Sequence, residues 1–231
     1  RARVSLVGAL NRAQAEAAVE QLLAWLPHGG SCDALPAVAD VEPLAAAAEH
    51  KLSLSSAQAH VLIGQPGIRR ADPAFFPITV GNYILGGGGF VSRLTEQVRE
   101  KRGLSYSVYS YFAPGLHAGP FTVGLQTRPD QADQALQVAR DVVRAFVTEG
   151  PTEAELKAAQ DNLMGSFPLR LDSNRKLLDN LANMAWYQLP LDYLDTWTDA
   201  VARVSVRDIR AAFQRKLQPE RMVTVTVGAK P

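Results

Sequence analysis

Arg99 and Tyr106 are the two side chains whose types and spacing could act together on a bound substrate oxygen. Arg99 falls in the second half of a charged, helix-like segment. Gly103 is placed to stop that helix, and Tyr106 opens strand-like sequence. A helix stop followed by a strand can bring two such side chains to one end of a sheet. A guanidinium and a phenol both donate hydrogen bonds at neutral pH. A pair of them could hold a carbonyl oxygen and stabilise negative charge developing on it. Spacing alone favours the plainer reading, a solvated arginine and a packed tyrosine.

Four consecutive glycines, Gly86, Gly87, Gly88 and Gly89, precede the charged segment. Helix N-termini bind anions. This run, however, lacks the Gly-Lys-Ser/Thr ending and preceding strand of a P-loop, and the spacing of a dinucleotide fingerprint. It reads as a tight helix-to-helix joint, either purely structural or lying beside a substrate path. His28, His50, His60 and His117 do not form an HExxH motif. The nearest approach to HxxEH runs from Ala46 to Glu49-His50, with alanine where the first histidine is required. Catalytic zinc needs three protein ligands and an open position, so no metal site is expected in this chain. His60 lies in apolar strand-like sequence and reads as a core or edge histidine. No GxSxG elbow or Ser/His/Asp set stands out.

The elements that must position these residues follow from pattern and punctuation. Arg3 to Ala9 is strand-like, and Asn11 with Gln14 makes a capping box for a helix that Pro27 ends. Residues 28–56 read as loop, rich in Ala, Pro and small polar residues. A strand is expected over Ala59–Gly64. A helix capped by Asp72, with Pro73 in its first position, should run to about Leu85. Ser92–Arg102 should be helical and end at Gly103. Ser105–Phe112 and Phe121–Thr127 read as an antiparallel pair around a Pro/Gly-punctuated connection. Helices are then expected over 130–149, from a Thr152/Glu155 capping box, from Asn174, from Asp192 and from Ser205, with a closing strand at Met222–Val227. Helices segregate from strand pairs rather than alternating with them. The fold class is therefore α+β: an open, mixed, mainly antiparallel sheet with helices on one face.

Composition narrows the classes further. The chain has 231 residues, 47% of them hydrophobic, and 24 basic against 23 acidic residues give a net charge of +1. That balance, with no basic face and no aromatic RNP-like pair, gives no support for nucleic-acid binding. No run reaches the ~18 apolar residues of a membrane helix, so no membrane insertion is expected. Cys32 is the one cysteine and reads as a spectator thiol. The chain opens Arg1-Ala2-Arg3, with no initiator Met or leader-like segment, and is expected to continue a longer sequence upstream.

The run from Gly86 through Phe90-Val91-Ser92-Arg93-Leu94 and Arg99-Glu100 to Gly103-Leu104-Ser105-Tyr106 resembles the second half of M16 (pitrilysin/insulinase-like) zinc metallopeptidases. The resemblance continues through Thr152–Lys157, Leu189–Leu194, Val204–Ile209 and the terminal Val-Thr-Val-Gly pattern, covering about residues 58–229. It implies two homologous α+β halves that close on an unfolded peptide, with zinc held in the first half by HxxEH and a later glutamate. The second half would lend an arginine and a tyrosine, seven residues apart, to substrate and transition-state binding. Arg99 and Tyr106 match in identity and spacing, and Gly86–Gly89 match the glycine-rich joint on the substrate side. On this resemblance residues 1–30 are the final strand and helix of a preceding half, 31–57 a linker, and 58–231 the C-terminal-like domain. The chain itself would hold no cofactor. Zinc would sit on a partner domain or subunit, and an unfolded peptide would be the substrate. The alternative is a non-catalytic scaffold or peptide-binding subunit of the same family.

Overall fold

A computed structural model describes residues 3–26 and 36–228; Cys32 and His28 lie outside them. The chain divides into two compact units. One comprises the residues up to Ala39 with Gly165–Trp197, the other Asp40–Met164 with the residues from Thr198 onward.

The larger unit is built on a five-stranded sheet. Its strands are β1 (Ala48–Leu52), β2 (Ala59–Pro66), β3 (Ser107–Phe112), β4 (Pro120–Thr127) and β5 (Val223–Val227), in the order β1-β5-β2-β4-β3. β1 runs parallel to β5, and the other three pairings are antiparallel. Strand side chains alternate between faces. Ala59, Val61 and Ile63 of β2 are therefore buried while His60 and Leu62 are exposed. Val108, Val123 and Leu125 join them beneath the helices α2 (Phe75–Asn82), α3 (Ala132–Glu149) and α7 (Val206–Lys216). The opposite face stays open, with Leu62, Tyr109 and Tyr111 between 41% and 46% exposed. This is the expected α+β architecture, an open and mainly antiparallel sheet with helices on one face.

The apolar stripes of the helices explain the packing. Leu136, Ala139, Val143 and Phe146 of α3 recur at helical spacing and are buried, as are Ile209 and Phe213 of α7. Phe213 meets Phe146 edge-to-face at 4.8 Å and Phe112 at 5.9 Å, tying two helices to the end of β3. The capping box expected in this unit forms, and the expected Ser205 cap proves to be a second box. Thr152 Oγ1 accepts from Glu155 N while Glu155 accepts from Thr152 N, which opens α4 (Glu153–Gly165). Ser205 and Asp208 do the same for α7.

The smaller unit holds α1 (Arg12–Leu23) and α5 (Asn174–Tyr187), and α6 (Tyr193–Ala202) begins in it. Asn11 and Gln14 form the expected capping box of α1. Arg3 donates to the carbonyls of Ala185 and Trp186 at the end of α5. Phe167 stacks on Trp197 at 4.6 Å.

Three expectations are corrected. Arg3–Ala9 forms no strand, despite its β-branched composition; a lone apolar run gains little from extension without a neighbouring strand to complete its hydrogen bonds. Residues 28–56 are not loop throughout. Ala48–Leu52 forms β1, whose polar sequence hides it because only one of its edges and little of its surface are covered. The helix expected over 72–85 begins at Phe75, with Asp72 Oδ1 accepting from Ala74 N at 2.8 Å, and changes to a wider π-type turn at Tyr83–Gly87.

Candidate functional site

The glycine run is a joint between two wide-turn helical segments. Gly86 sits where a Cβ would meet Ser110 Oγ at 2.5 Å, Ser110 N at 2.6 Å and Leu94 Cδ1 at 2.7 Å. A hydrogen atom is all that fits between the joint and β3. Asn82 Nδ2 donates to Ser110 O and Ser110 Oγ donates to Asn82 Oδ1, which ties the same two elements together. This also covers the outer edge of β3 at mid-strand, a usual way to block further strand pairing. Gly86 is buried, Gly88 half-buried, and Gly87 and Gly89 are exposed. Gly89 has φ +62, a left-handed conformation costly for other residues. It opens a single 3-10 turn, Gly89–Val91, that presents Phe90 and Val91.

Ser92 ends that turn in extended conformation, and its hydroxyl donates to Gly89 O at 2.8 Å. The chain then becomes helical again, with π-type geometry over Thr95–Glu100. Lys101 N reaches back to Glu96 O, five residues rather than four. Such wide turns concentrate at functional sites. Gly103, at φ +61, stops the helix as expected, and Leu104 N donates to Val98 O.

Arg99 and Tyr106 are brought together. The Arg99 Cζ lies 4.6 Å from the centre of the Tyr106 ring. The Tyr106 side chain is 83% exposed, and that of Arg99 is 27% exposed. Glu100 Oε1 lies 3.3 Å from Arg99 Nε. A guanidinium carries five donors. This one is oriented by two rings and by Glu100 at its Nε, which engages one of the five. The sequence reading missed Phe90, whose ring centre lies 4.7 Å from the same Cζ.

The helix carrying Arg99 is anchored at its start. Arg93 grips Glu155 in a two-point contact, Nε to Oε1 at 2.6 Å and Nη2 to Oε2 at 2.7 Å, and also donates to Gly150 O. Burial alone would raise the Glu155 carboxyl. Hydrogen bonds from Arg93 and Thr152 outweigh it and hold the carboxyl at about 2. On the open sheet face an apolar hollow of about 520 Å³ lies between Val41 and Leu44 on one side and Leu62, Thr122, Val223 and Val225 on the other. Asp40 Oδ1 and His117 Nδ1 meet at 2.8 Å beside the same segment.

The described residues do not fit zinc. Glu49 and His50 lie next to each other in β1 and so project to opposite faces, and Glu49 is engaged by Arg140. Among the described residues no group of three or more His, Cys, Asp or Glu side chains could hold a metal ion. Among the same residues no helix is long and apolar enough to cross a membrane.

Known proteins match this chain in sequence and fold. The family described as "Peptidase M16 inactive domain" matches residues 1–163. An uncharacterized zinc protease of Streptomyces coelicolor is 36% identical over 156 residues, covering 67% of this chain and 33% of that protein. A non-peptidase homolog of Helicobacter pylori is 33% identical over 165 residues, covering 70% of this chain and 37% of its own length. The chain thus spans about a third of the length of these curated relatives. Among solved structures, an M16 inactive domain from Pseudomonas fluorescens superposes with a TM-score of 0.87 at 37% identity, covering 96% of this chain and 52% of that one. A protease from Helicobacter pylori shares the fold, with a TM-score of 0.86 at 15% identity. A joint of four glycines and a paired arginine and tyrosine beyond it are thus found in a chain that belongs to the M16 peptidase family, as a domain of its inactive, C-terminal type.

Proposed function

We propose that this chain is the substrate-binding half of a zinc-dependent peptidase, lending Arg99 and Tyr106 to a zinc centre carried by another domain or subunit. The carrying observation is the Arg99 guanidinium, 4.6 Å from the Tyr106 ring and paired at its Nε with Glu100 at 3.3 Å. In this reading Arg99 holds a carbonyl of an unfolded peptide, and Tyr106 donates to the oxygen on which negative charge develops. Gly87, Gly88 and Gly89 line the path as a side-chain-free joint, which Gly86 fixes against β3. The apolar open sheet face supplies a wall for an extended chain. Residues 1–30 belong with a preceding homologous half and 58–231 form the binding half, to whose sheet the joining stretch 31–57 adds β1. Bond cleavage belongs to the zinc-bearing partner, since no group of three or more His, Cys, Asp or Glu among the described residues of this chain could hold the metal.

The test is peptide cleavage by this chain combined with a zinc-bearing M16 half, comparing Tyr106→Phe with the native residue. Loss of one donor to a developing oxyanion lowers kcat by about 10²-fold, with KM little changed. Unaltered turnover would remove the role given to the phenol. A second reading, a non-catalytic scaffold or peptide-binding subunit, draws on the inactive-domain description of the family and on the non-peptidase name of the Helicobacter pylori relative. It predicts that substituting Arg99 and Tyr106 together leaves the assembly's behaviour unchanged.

A further inference from the structure

We propose that Phe90 directs the Arg99 guanidinium and selects the side chain accepted beside it, so that the site favours a peptide with a bulky apolar residue next to the carbonyl held by Arg99. The proposal rests on the reading of Arg99 and Tyr106 as a peptide-binding pair. Phe90 is 71% exposed and Val91 73% exposed. Exposed apolar residues are common singly, but these two are adjacent and presented by a braced turn. Ser92 N and Oγ both donate to Gly89 O, at 3.1 Å and 2.8 Å. A rigid turn keeps the Phe90 ring from folding back onto the protein surface.

The ring does two things from that position. Its centre lies 4.7 Å from Arg99 Cζ, so it attracts the cation and restricts its swing. It also leaves apolar surface directly beside a charged donor. Val91, next along the turn, lines a groove of about 350 Å³ with Tyr83, Ile84 and Ala158. A ligand satisfying all of this carries an acceptor oxygen with a large apolar group alongside. A peptide carbonyl beside a phenylalanine or leucine has that composition, whereas a carbonyl beside serine or aspartate would leave the ledge and groove wet.

The experiment titrates the full chain with two labelled unstructured peptides that differ only in one Phe-to-Ser position, read by fluorescence anisotropy. It uses the native chain, Phe90→Ala, Phe90→Tyr and Arg99→Gln. The native chain should prefer the Phe peptide by about tenfold, the discrimination a single apolar contact can give. Phe90→Ala should bind the two peptides equally, and Phe90→Tyr, which keeps the ring, should restore the preference. The Arg99 side-chain Nε–H resonance, assigned by its loss in Arg99→Gln, should be resolved in the native chain and in Phe90→Tyr and averaged in Phe90→Ala. If the native chain binds neither peptide, or Arg99→Gln binds both as the native chain does, the arginine–tyrosine reading falls, and the inference with it. If binding depends on Arg99 but the native chain shows no preference, or Phe90→Ala keeps it, the role given to Phe90 is refuted while the pair survives.

Discussion

Replacing Glu155 by glutamine removes the charge that fixes the start of the Arg99 helix while leaving the side chain's shape. Glu155 accepts from Arg93 Nε at 2.6 Å and Nη2 at 2.7 Å, and from Thr152 N at 2.7 Å and Thr152 Oγ1 at 2.8 Å. Glutamine can keep one acceptor, but its amide nitrogen would face either the guanidinium or the Thr152 donors. The native carboxyl, held at about 2 against an ordinary 4.5, corresponds to about 3 kcal/mol of stabilisation at ~1.4 kcal/mol per tenfold change in proton affinity. The Glu155 side chain is 31% exposed, and solvent screening lowers the expected effect to about 2 kcal/mol. The folded value lies below the unfolded one, so the folded state binds fewer protons. The stabilisation is therefore complete above about pH 4.5 and is lost as pH falls towards about 2. Urea unfolding of the whole chain, followed by circular dichroism, should show Glu155→Gln less stable by about 2 kcal/mol near pH 7, and by under about 1 kcal/mol near pH 2.5. A gap that is the same at both pH values would refute the assignment of that stability to the ionised carboxylate.

Two further substitutions separate packing from conformation and satisfaction from burial. Gly86→Ala places a Cβ 2.5–2.7 Å from Ser110 and Leu94 and should cost about 3 kcal/mol as an over-packed core contact. Gly89→Ala meets no atom within 4 Å at φ +62 and should cost only about 1 kcal/mol of backbone strain; chemical denaturation of the pair checks the ordering. Thr226 is 1% exposed, and its Oγ1 has no hydrogen-bond partner among the described residues. Thr226→Val should therefore leave the melting temperature unchanged or raise it, by up to about 1 kcal/mol in stability terms; a clear loss would mean that the hydroxyl has a partner, such as an ordered water.

Much of the fold was legible because local rules and burial agree. The apolar run Ala59–Gly64, the stripe from Leu136 to Phe146 and the Ser205 cap each carry their own signal, and each forms at the expected place. The failures have a common cause. Arg3–Ala9 has the composition of a strand without a partner, whereas Ala48–Leu52 has a partner, β5, without the composition. Strand pairing is non-local, and a sequence window cannot report which edge is vacant. The sheet therefore gains β1 from a stretch read as linker.

The site divides along the same line. Gly103 marks a helix stop between Arg99 and Tyr106 and so allows them to meet, but spacing alone favoured the plainer reading, and it is the M16 resemblance that paired them. Phe90 could not be placed beside them. Residues nine apart on a continuous α-helix project about 180° from one another, which would set Phe90 and Arg99 on opposite sides. Two departures from that helix bring them together. Ser92 is extended, with ψ 150, so the turn holding Phe90 is not in phase with the helix that follows. The Thr95–Glu100 segment then has wider turns than an α-helix, which rotates Arg99 further. Neither departure is written in residue types alone. Both depend on Gly86 wedging the joint against Ser110 and on Arg93 fixing the helix start to Glu155. The aromatic ledge beside the guanidinium is thus a product of packing some distance from it. Disturbing Gly86 or Glu155 should loosen the Phe90–Arg99 contact before it unfolds the sheet.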